Sequence, residues 1–351
     1  MEMDDEFFKL NSKLSNSHGI SGYEDEIREI IKKELEDHVD EIRVDSMGNM
    51  ICTKNGSSPE LMLAAHMDEI GFMVKFIDDK GFIRFAPIGG WFDQLALGQR
   101  VILHGDNGKV YGVIGSKPPH LMKNEEKKKA VEIKDMFIDI GATSKEEAGE
   151  MGVEVGTTIT LDRQMAPLGE KVTGKAFDDR AGIVGMIEAV KQAKTNSTIY
   201  AVGTVQEEVG LKGARTSAFA LEPDAAIAID VCVATDFPGG DSAFMDIKLG
   251  EGPAITVADA SGRGLIASRK ILQWLRTSAQ KNQIPHQMEV AEGGTTDATA
   301  IHLTKAGIPT GVVSIPSRYI HSPVEVIHPE DVKNTSLLVA RAIESSGDYF
   351  K

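Results

Sequence analysis

Histidine and acidic side chains follow several apolar runs of this sequence. Imidazole and carboxylate groups are ligands that zinc and cobalt accept in proteins. A carboxylate has two oxygens and can bridge two cations, whereas a histidine cannot. Three carboxylates and one hydroxide would also offset the charge of two divalent ions in a buried site. We therefore predict a site for two adjacent divalent metals, drawn from His66, Asp68, Asp178, Asp179, Glu207, Glu208, Asp230 and His321.

Several of these residues have a simpler explanation when each is taken alone. His66 and Asp68 could form a structural hydrogen bond, because residues two apart on an extended segment share a face. The adjacent Asp178 and Asp179 could favour a helix N-terminus. Asp230 could cap the turn after its strand. Only the combination of all these residues at one sheet edge favours a site.

Two adjacent acids strengthen the case for a cation. Glu207 and Glu208 follow an apolar run that ends near residue 205. Burial of two neighbouring carboxylates at a core strand end is costly without a positive charge. His321 would be an ordinary loop histidine if it stood alone.

An α/β sheet is the element that would bring these residues together. The apolar run 61–65 is typical of a strand buried on both faces, as in a parallel sheet. Parallel sheets bind their ligands at the carboxyl ends of the strands. Alternation of strands and helices predicts an α/β fold with a doubly wound, mainly parallel sheet. The further strands are expected at 198–205, 225–229 and 310–315, and the helices at 182–193, 269–280, 298–306 and 333–346.

A segment with a different residue pattern interrupts this alternation of strands and helices. Short β-like pieces alternate with glycine turns between about residue 71 and residue 162, which predicts a small all-β domain inserted into the α/β domain. Residues 1–70 and 163–351 would then form the catalytic domain. Residues 119–134 are polar and highly charged, and we expect a long mobile loop there that could line a substrate path.

The N-terminal part is predicted to be helical. The residues Ile27, Ile30, Ile31 and Leu35 recur at the spacing of one helix face. Ser21 stands three residues before Glu24, which fits a capping box at the start of this helix.

Composition excludes several classes of protein. The chain has 351 residues, of which 41% are hydrophobic and 26% charged, as in an ordinary globular protein. The formal net charge of −15 argues against a nucleic-acid partner, which would need a basic surface. No apolar run approaches the roughly 18 residues that a membrane span needs.

The compartment is predicted from the termini and the cysteines. The acidic stretch from Met1 to Glu6 lacks the basic and apolar regions of a secretory signal. The two cysteines, Cys52 and Cys232, form no CxxC pair, so a disulfide framework and a thiolate zinc site are both improbable. A reducing cytoplasm is the expected location.

Six motifs in order along the chain resemble those of a known family, the tetrahedral aminopeptidases. This family includes glutamyl and deblocking aminopeptidases, which are dinuclear metallopeptidases. The resemblance extends over nearly the whole chain. The motifs are His66-Met67-Asp68-Glu69-Ile70-Gly71, Ala176-Phe177-Asp178-Asp179-Arg180-Ala181-Gly182, Gln206-Glu207-Glu208-Val209-Gly210, Gly213-Ala214, Gly293-Gly294-Thr295-Thr296-Asp297-Ala298 and Arg318-Tyr319-Ile320-His321-Ser322.

The resemblance implies a role for each site residue. Asp178 would bridge two divalent metals, zinc or cobalt, in each subunit. The remaining metal ligands would be His66 and Asp230 for one ion, and Glu208 and His321 for the other. Glu207 would be the general base, and Asp68 would support His66. The additional Thr296 in the Gly-Gly-Thr-Thr-Asp motif leaves the role of that loop open.

The resemblance also implies an assembly and an activity. The inserted segment would be a PDZ-like dimerisation domain, and the dimers would assemble into a hollow dodecamer. The expected reaction is hydrolysis of the N-terminal peptide bond of peptides with a free amine. Three alternatives remain: an endoglucanase-type glycoside hydrolase, a related dinuclear deacylase or carboxypeptidase, and a PDZ-like peptide-binding module without activity.

The sequence does not directly identify the side chain that the enzyme prefers at the N-terminal residue of its substrate. An acid-selective pocket would need a cation, and the sequence does not tell whether Arg318 or Lys212 faces inward. We expect a broad neutral or leucine-like preference.

Overall fold

The structure, a computed structural model, describes residues 6–240 and 245–350. Residues 1–5, which carry most of the acidic N-terminal stretch, lie outside the described part of the chain. None of the helices in the described part is both long and apolar enough to cross a membrane.

The strands fall into a large sheet and a closed barrel. The sheet contains β1 (Glu41–Val44), β2 (Met50–Lys54), β3 (Ser57–His66), β10 (Ala166–Leu168), β11 (Lys171–Gly174), β12 (Ser197–Thr204), β13 (Ala225–Val233), β14 (Ala254–Ala258), β15 (Gln287–Val290), β16 (Thr310–Arg318) and β17 (Glu325–Ile327). The barrel contains β4 (Gly71–Ile77), β5 (Ile83–Ile88), β6 (Arg100–Gly105), β7 (Gly108–Gly115), β8 (Phe137–Asp139) and β9 (Thr158–Leu161).

The α-helices belong mainly to the sheet domain. They are α1 (Glu6–Asn16), α2 (Asp25–Leu35), α3 (Lys145–Glu150), α4 (Phe177–Gln192), α5 (Lys212–Leu221), α6 (Arg269–Lys281), α7 (Asp297–Ile301) and α8 (Pro329–Ser345). The predicted N-terminal helix is α2, and all four of the apolar residues that predicted it are buried.

The centre of the sheet is parallel and its flanks are antiparallel. The strand order is β1-β2-β12-β3-β13-β16-β17-β11-β10, with β14 and β15 attached beside β16. Strands β12, β3, β13 and β16 run parallel to one another, whereas β2, β14 and β17 pair with their neighbours in antiparallel fashion. The α/β prediction is therefore confirmed, but the sheet is mixed, because short flanking strands that the sequence analysis did not identify add antiparallel pairs.

Helices cover both faces of this sheet, which explains the continuous apolar runs. One hydrophobic core packs α1, α2, α4, α6 and α8 against one face, and a smaller core packs α5 and α7 against the other. In β3, every residue from Leu61 to His66 is buried. This strand lies between β12 and β13 with a helical layer on each side, so it has no polar face.

Several predicted boundaries differ from the structure. Strand β13 continues beyond residue 229 to Val233 because its last residues pair with β16, which itself continues to Arg318. Helix α7 ends at Ile301 instead of residue 306. Lys305 and Gly307 both have positive φ angles, of 51° and 98°, and this backbone does not continue a right-handed helix.

The predicted capping box at Ser21 is wrong. The N-cap of α2 is Glu24, and no side chain caps this helix. The Ser21 hydroxyl instead donates a hydrogen bond to Asp68 Oδ2 at 2.6 Å. Ser21 therefore connects the N-terminal segment to the candidate site.

The barrel has a core separate from that of the sheet. Phe72, Ile83, Val101, Ile138 and Ile159 are completely buried inside it. Its wall is closed by antiparallel pairs throughout, from β4-β5 around to β6-β9 and β4-β9. The segment 119–134 contains only short 3₁₀ turns and is mostly exposed.

Candidate metal and catalytic site

The predicted site residues meet at the carboxyl ends of the central parallel strands. His66 is the last residue of β3, and Glu207 and Glu208 follow β12 after a short turn. Asp178 lies at the start of α4, and His321 lies in the loop between β16 and β17. The structure thus brings together residues that are up to 255 positions apart, which is the difference between 321 and 66.

Asp178 lies between the two histidines. Its Oδ1 is 2.9 Å from His66 Nε2, and its Oδ2 is 3.3 Å from His321 Nε2. His321 Nε2 also lies 3.2 Å from Glu208 Oε2. Each oxygen of one carboxylate therefore faces a different imidazole, and this arrangement suits a carboxylate that binds two ions.

The sequence had suggested that Asp230 comes after its strand. In the structure, Asp230 is part of strand β13. It pairs with Ser314 of β16, whereas the pairing of β13 with β3 ends at Ala228. The separation of β3 from β13 leaves space beside Asp230, which opens toward His66. Ligand atoms of His66, Asp179 and Asp230 lie within 4.8 Å of one another.

A second group of potential ligands meets on the other side of His66. Ligand atoms of His66, Asp178 and Glu208 also lie within 4.8 Å of one another. Glu208 Oε1 is buried and has no hydrogen-bond partner. An unpaired buried carboxylate oxygen is unfavourable unless a cation meets it, so the site fits a divalent metal.

Asp179 has a different environment from Asp178. Its Oδ2 accepts a hydrogen bond from the backbone N–H of His66 at 3.1 Å, and its Oδ1 accepts one from Gly182 at 3.0 Å. Because both oxygens already accept backbone hydrogen bonds, Asp179 is better suited to hold His66 and the start of α4 in place. Asp178 has neither restriction.

Asp68 holds the loop that carries the two adjacent acids. Its Oδ1 accepts a hydrogen bond from the backbone N–H of Glu207 at 3.0 Å, and its Oδ2 accepts one from Glu208 at 3.2 Å. His66 Nδ1 is 3.0 Å from the backbone oxygen of Asp68 and 3.6 Å from its carboxylate. Asp68 thus contacts His66 mainly through its main chain and positions the glutamates through its side chain.

Glu325 has a similar positioning role that the sequence analysis missed. It is 2% exposed, and it accepts hydrogen bonds from the backbone N–H groups of Asp178 at 3.0 Å and His321 at 3.1 Å. It lies on the short strand β17, and no spacing pattern in the sequence identifies it. Its contacts explain why two remote loops keep a fixed separation.

A buried ion pair supports the segment before Asp178. Lys175 Nζ donates hydrogen bonds to both oxygens of Glu69, at 2.9 and 2.8 Å, and to the backbone oxygen of Ser17. Arg180 lies 3.5 Å from the same glutamate. These contacts join the segment after β3 to the start of α4 at a depth where an unpaired charge would be costly.

The barrel also contributes to the site. The loop after β5 places Gly89 beside Glu208 and Gly90 beside His321. A Cβ at residue 90 would lie 3.0 Å from His321 Nδ1, and one at residue 89 would lie 2.7 Å from the side chain of Ile70. Gly89 also has a φ of 81°. Glycine is required here because the backbone approaches the site closely.

Thr296 has a local role. Its side chain accepts a hydrogen bond from the backbone N–H of Ala298 and forms the N-cap of α7. The following Asp297 accepts a short hydrogen bond from the hydroxyl of Thr204, at the end of β12. The glycine-rich loop before them lines the site cavity.

Burial, and after it repulsion between neighbouring acids, raises the pKa of several carboxyl groups in the site. Burial raises the pKa of Glu207 well above its usual value, and the charges of Asp230, Asp297 and Glu208 raise it further. Burial also raises the pKa of Asp230, with the charge of Asp178 as the next contribution. Such an accumulation of acids is relieved when cations bind.

Neighbouring acids also change the pKa of the two histidines. Burial acts to lower the pKa of His321, but its contacts with Asp178 and Glu208 raise it to about 11. For His66, contacts with Asp178 and Asp68 likewise outweigh burial and raise the pKa. Since metals bind neutral imidazole, metal binding would release these protons.

A cavity of about 630 Å³ opens from this cluster. The size is ordinary for a site that binds a small ligand. Its walls include six of the seven predicted site residues, all except Asp68, together with residues of β13–β16. The segment 119–134 supplies none of the described residues that line it.

Comparisons with known proteins identify the family of this chain. A family model described as M42 glutamyl aminopeptidase matches residues 48–338. The lysyl aminopeptidase of Pyrococcus furiosus is 37% identical, and the alignment covers 96% of each chain.

Solved structures are similar over the same extent. The aminopeptidase of the archaeon Desulfurococcus kamchatkensis is 45% identical with a TM-score of 0.93, covering 97% of this chain and 95% of that one. The TET1 peptidase of Pyrococcus horikoshii can assemble into a tetrahedron or a large octahedral shell. It is 36% identical with a TM-score of 0.87, covering 96% of this chain and 99% of that one.

Proposed function

This chain belongs to the M42 glutamyl aminopeptidase family and is a peptide hydrolase, and we propose that it uses two divalent metals to remove single residues from free peptide N-termini. The observation that carries this proposal is the position of Asp178. Its two oxygens face His66 and His321 separately. A carboxylate between two imidazoles is the arrangement that a pair of adjacent metals requires.

The ligands divide into two sets around this carboxylate. We assign His66 and Asp230 to one ion, Glu208 and His321 to the other, and Asp178 to both. Asp179 stays outside the ligand set because its two oxygens hold backbone N–H groups. When bound, zinc or cobalt would lower the pKa of a shared water and polarise the scissile carbonyl.

Glu207 is our candidate for the general base. Its side chain lines the cavity, and its Oε2 lies 3.9 Å from His66 Nε2. Asp68 fixes the backbone of this residue. The Glu207 carboxylate would take the proton of the attacking water and later deliver it to the leaving amine.

Metal reconstitution with paired substrates tests this function. Metal-stripped protein is assayed with a leucine-initiated peptide and its N-acetylated twin, before and after addition of cobalt or zinc. We expect restored cleavage of the free-amine peptide alone. Cleavage of the blocked twin would favour a deacylase, and failure to cleave either peptide across a panel of side chains would favour a binding module.

Glycoside hydrolysis is the remaining alternative from the sequence. That chemistry needs two facing carboxyl groups and no metal. Here histidines lie within 3.3 Å of the acids, which supports metal binding instead. A glycosidase would keep its activity in a chelator, whereas this enzyme is expected to lose it.

We further propose that residues 71–162 form a PDZ-like dimerisation domain inserted into a catalytic domain of residues 1–70 and 163–351. Large apolar side chains remain exposed on the barrel, including Phe76, Tyr111 and Val155 at 53, 65 and 66%. Contact between subunits would cover them. Together with the assembly of the Pyrococcus horikoshii peptidase, this supports a homo-oligomer, which we propose is a dodecamer built from six dimers.

Light scattering coupled to size exclusion tests the assembly. We expect a mass near twelve times 37.9 kDa for the intact chain, and smaller species for Tyr111→Lys. A monomer with full activity would refute the dodecamer. Cytoplasmic location stays a prediction from the sequence.

A further inference from the structure

One wall of the site cavity carries two buried acids outside the proposed metal ligands. We call it the acidic wall and define it as Thr256, Asp259 and Glu289. Thr256 and Glu289 are directly paired residues of β14 and β15, and Asp259 follows β14. All three line the same cavity as His66 and Glu207. The acidic wall is therefore continuous with the catalytic groups.

The sheet register places the acidic wall at a defined distance from the metal ligands. Asp230 of β13 pairs with Ser314 of β16, which in turn pairs with Ala254 of β14. Thr256 is two residues after Ala254 and shares its face, as does its partner Glu289. With strands about 4.8 Å apart and about 3.4 Å per residue, three strand spacings and a two-residue offset put roughly 16 Å between the backbones of Asp230 and Glu289.

Side chains from both ends shorten this gap. Cys232, two positions after Asp230 in β13, lines the same cavity. Burial raises the pKa of Cys232, and Glu289 and Asp230 are the two largest charges that raise it further. A substrate side chain of lysine length can therefore extend from a residue bound near Asp230 toward Glu289.

The two acids have more acceptor capacity than the protein uses. Glu289 is 5% exposed, and its Oε2 accepts a hydrogen bond from the Thr256 hydroxyl at 2.6 Å. Asp259 is 4% exposed; its Oδ1 accepts a hydrogen bond from the backbone N–H of Leu265, and its Oδ2 is buried without a partner. Burial raises the pKa of both carboxyl groups, and the charge of Asp259 adds to the effect on Glu289.

In the part of the chain that the structure describes, the cavity offers these acids no lysine or arginine, although the charge of His302 acts to lower the pKa of Asp259. Arg318 is held by Asp236 through two hydrogen bonds of 2.9 and 2.8 Å. Lys212 is exposed and contacts Gln206 at 3.2 Å. The two cations whose orientation the sequence left open are thus committed elsewhere.

We propose that the acidic wall selects substrates whose N-terminal residue is lysine or arginine. The inference rests on the aminopeptidase function proposed above and identifies the class of side chain that this enzyme accepts. The ammonium or guanidinium group would meet Glu289 and Asp259. The aliphatic stem would pass Met245, Ala291 and Ile320, which also line the cavity. This replaces the neutral preference that the sequence had suggested.

A substrate panel tests the selectivity directly. The metal-loaded enzyme is assayed with aminoacyl amides of lysine, arginine, norleucine, leucine and glutamate. Norleucine matches the length of lysine without its charge. We expect kcat/KM for lysine to exceed that for norleucine by roughly tenfold or more, because the amine satisfies buried acceptors that norleucine leaves unpaired. Equal or better cleavage of norleucine would overturn the proposal.

Substitutions in the acidic wall then test whether its acids cause the selectivity. Glu289→Gln keeps the shape of the side chain and removes its charge, and we expect the lysine-to-norleucine ratio to fall roughly tenfold. Asp259→Asn should lower it less, since an asparagine Oδ1 can still accept from Leu265. The matched control is Glu292→Gln, three residues from Glu289 but exposed and outside the cavity. A fall of the ratio in the control to the same extent would contradict the assignment.

Binding measurements separate this proposal from the proposed function. Calorimetry compares L-lysinamide with L-norleucinamide on the wild-type enzyme and the variants. If no amide is hydrolysed but lysinamide binds more tightly, and Glu289→Gln removes the difference, the aminopeptidase mechanism fails and the acidic wall stands. If norleucinamide binds as tightly as lysinamide, the acidic wall has no such role, whatever the activity.

Discussion

Two groups of buried acids line one cavity, and their partners differ. Around Asp178, histidines lie within 3.3 Å of the carboxylates. In the acidic wall, the nearest partners of Glu289 and Asp259 are a hydroxyl and a backbone N–H. Imidazole is a ligand that transition metals favour, whereas a hydroxyl competes poorly for them. The first group therefore suits resident metals, and the second suits the transient cation of a substrate.

The two groups of acids also differ in the contacts that hold them in place. Backbone hydrogen bonds to Asp68, Asp179 and Glu325 fix four of the five proposed ligand positions, all except that of Asp230. The acidic wall is held mainly by the pairing of β14 with β15. Catalytic geometry needs such rigid support, while a side-chain pocket has to accept substrates that enter and leave.

Among the substitutions that test this comparison, Glu207→Gln should have the largest effect on activity. Removal of the proposed base should lower kcat roughly 100- to 10,000-fold, while metal content measured by inductively coupled plasma mass spectrometry stays at the wild-type level. The exposed Glu292→Gln serves as the control. Near-normal turnover would show that Glu207 is not the base.

Glu325→Gln should weaken metal binding, whereas Glu207→Gln should impair proton transfer. Both of its oxygens accept backbone N–H groups, and an amide nitrogen in one of these positions cannot accept. We expect metal affinity to fall roughly 10- to 100-fold, measured by competition with a chromophoric chelator. An unchanged affinity would mean that Asp178 and His321 keep their positions without Glu325.

Ser21→Ala should have a smaller effect. It removes one hydrogen bond to Asp68, which still accepts two backbone N–H groups. We expect kcat to fall a few-fold, about the value of one neutral–charged hydrogen bond that remains partly compensated. The measurement is steady-state kinetics on a saturating free-amine peptide. A loss as large as that of Glu207→Gln would indicate that Ser21 takes part in catalysis directly.

Glu289→Gln should leave metal content unchanged, which is the sharpest test of the division between the two groups. Glu289 belongs to neither of the two groups of potential metal ligands around His66, so loss of this charge should not release an ion. Metal analysis after dialysis checks this result. Loss of metal would show that the acidic wall belongs to the metal site.

The sequence could predict much of the catalytic centre because strand ends mark it. His66, Glu207 and Glu208 each follow an apolar run, and the carboxyl ends of parallel strands necessarily meet. Asp178 and Asp179 come just before a predicted helix, and only the family resemblance distinguished the role of Asp178. By contrast, Glu325 lies on a three-residue strand with no distinctive neighbours, so nothing in the local pattern indicates that it faces the site.

Local patterns also misplaced some contacts. Ser21 and Glu24 have capping-box spacing, but the Ser21 hydroxyl is taken by Asp68, a residue 47 positions away. The sequence placed Asp230 after its strand, because the pairing of β13 with β16 cannot be inferred from β13 alone. In both cases a remote partner decided the local conformation.

The sequence by itself determined the α/β alternation, the all-β texture of the interrupting segment and the chemical types present at the strand ends. These depend on periodicity and on residue identity, which are local properties. Only the tertiary structure decided which acids have partners. It paired Arg318 with Asp236, directed Asp179 to backbone groups and, within the described part of the chain, left Oδ2 of Asp259 without a hydrogen-bond partner. The charge that a cavity presents depends on which side chains neutralise one another across the fold, and this information is absent from any single stretch of the chain.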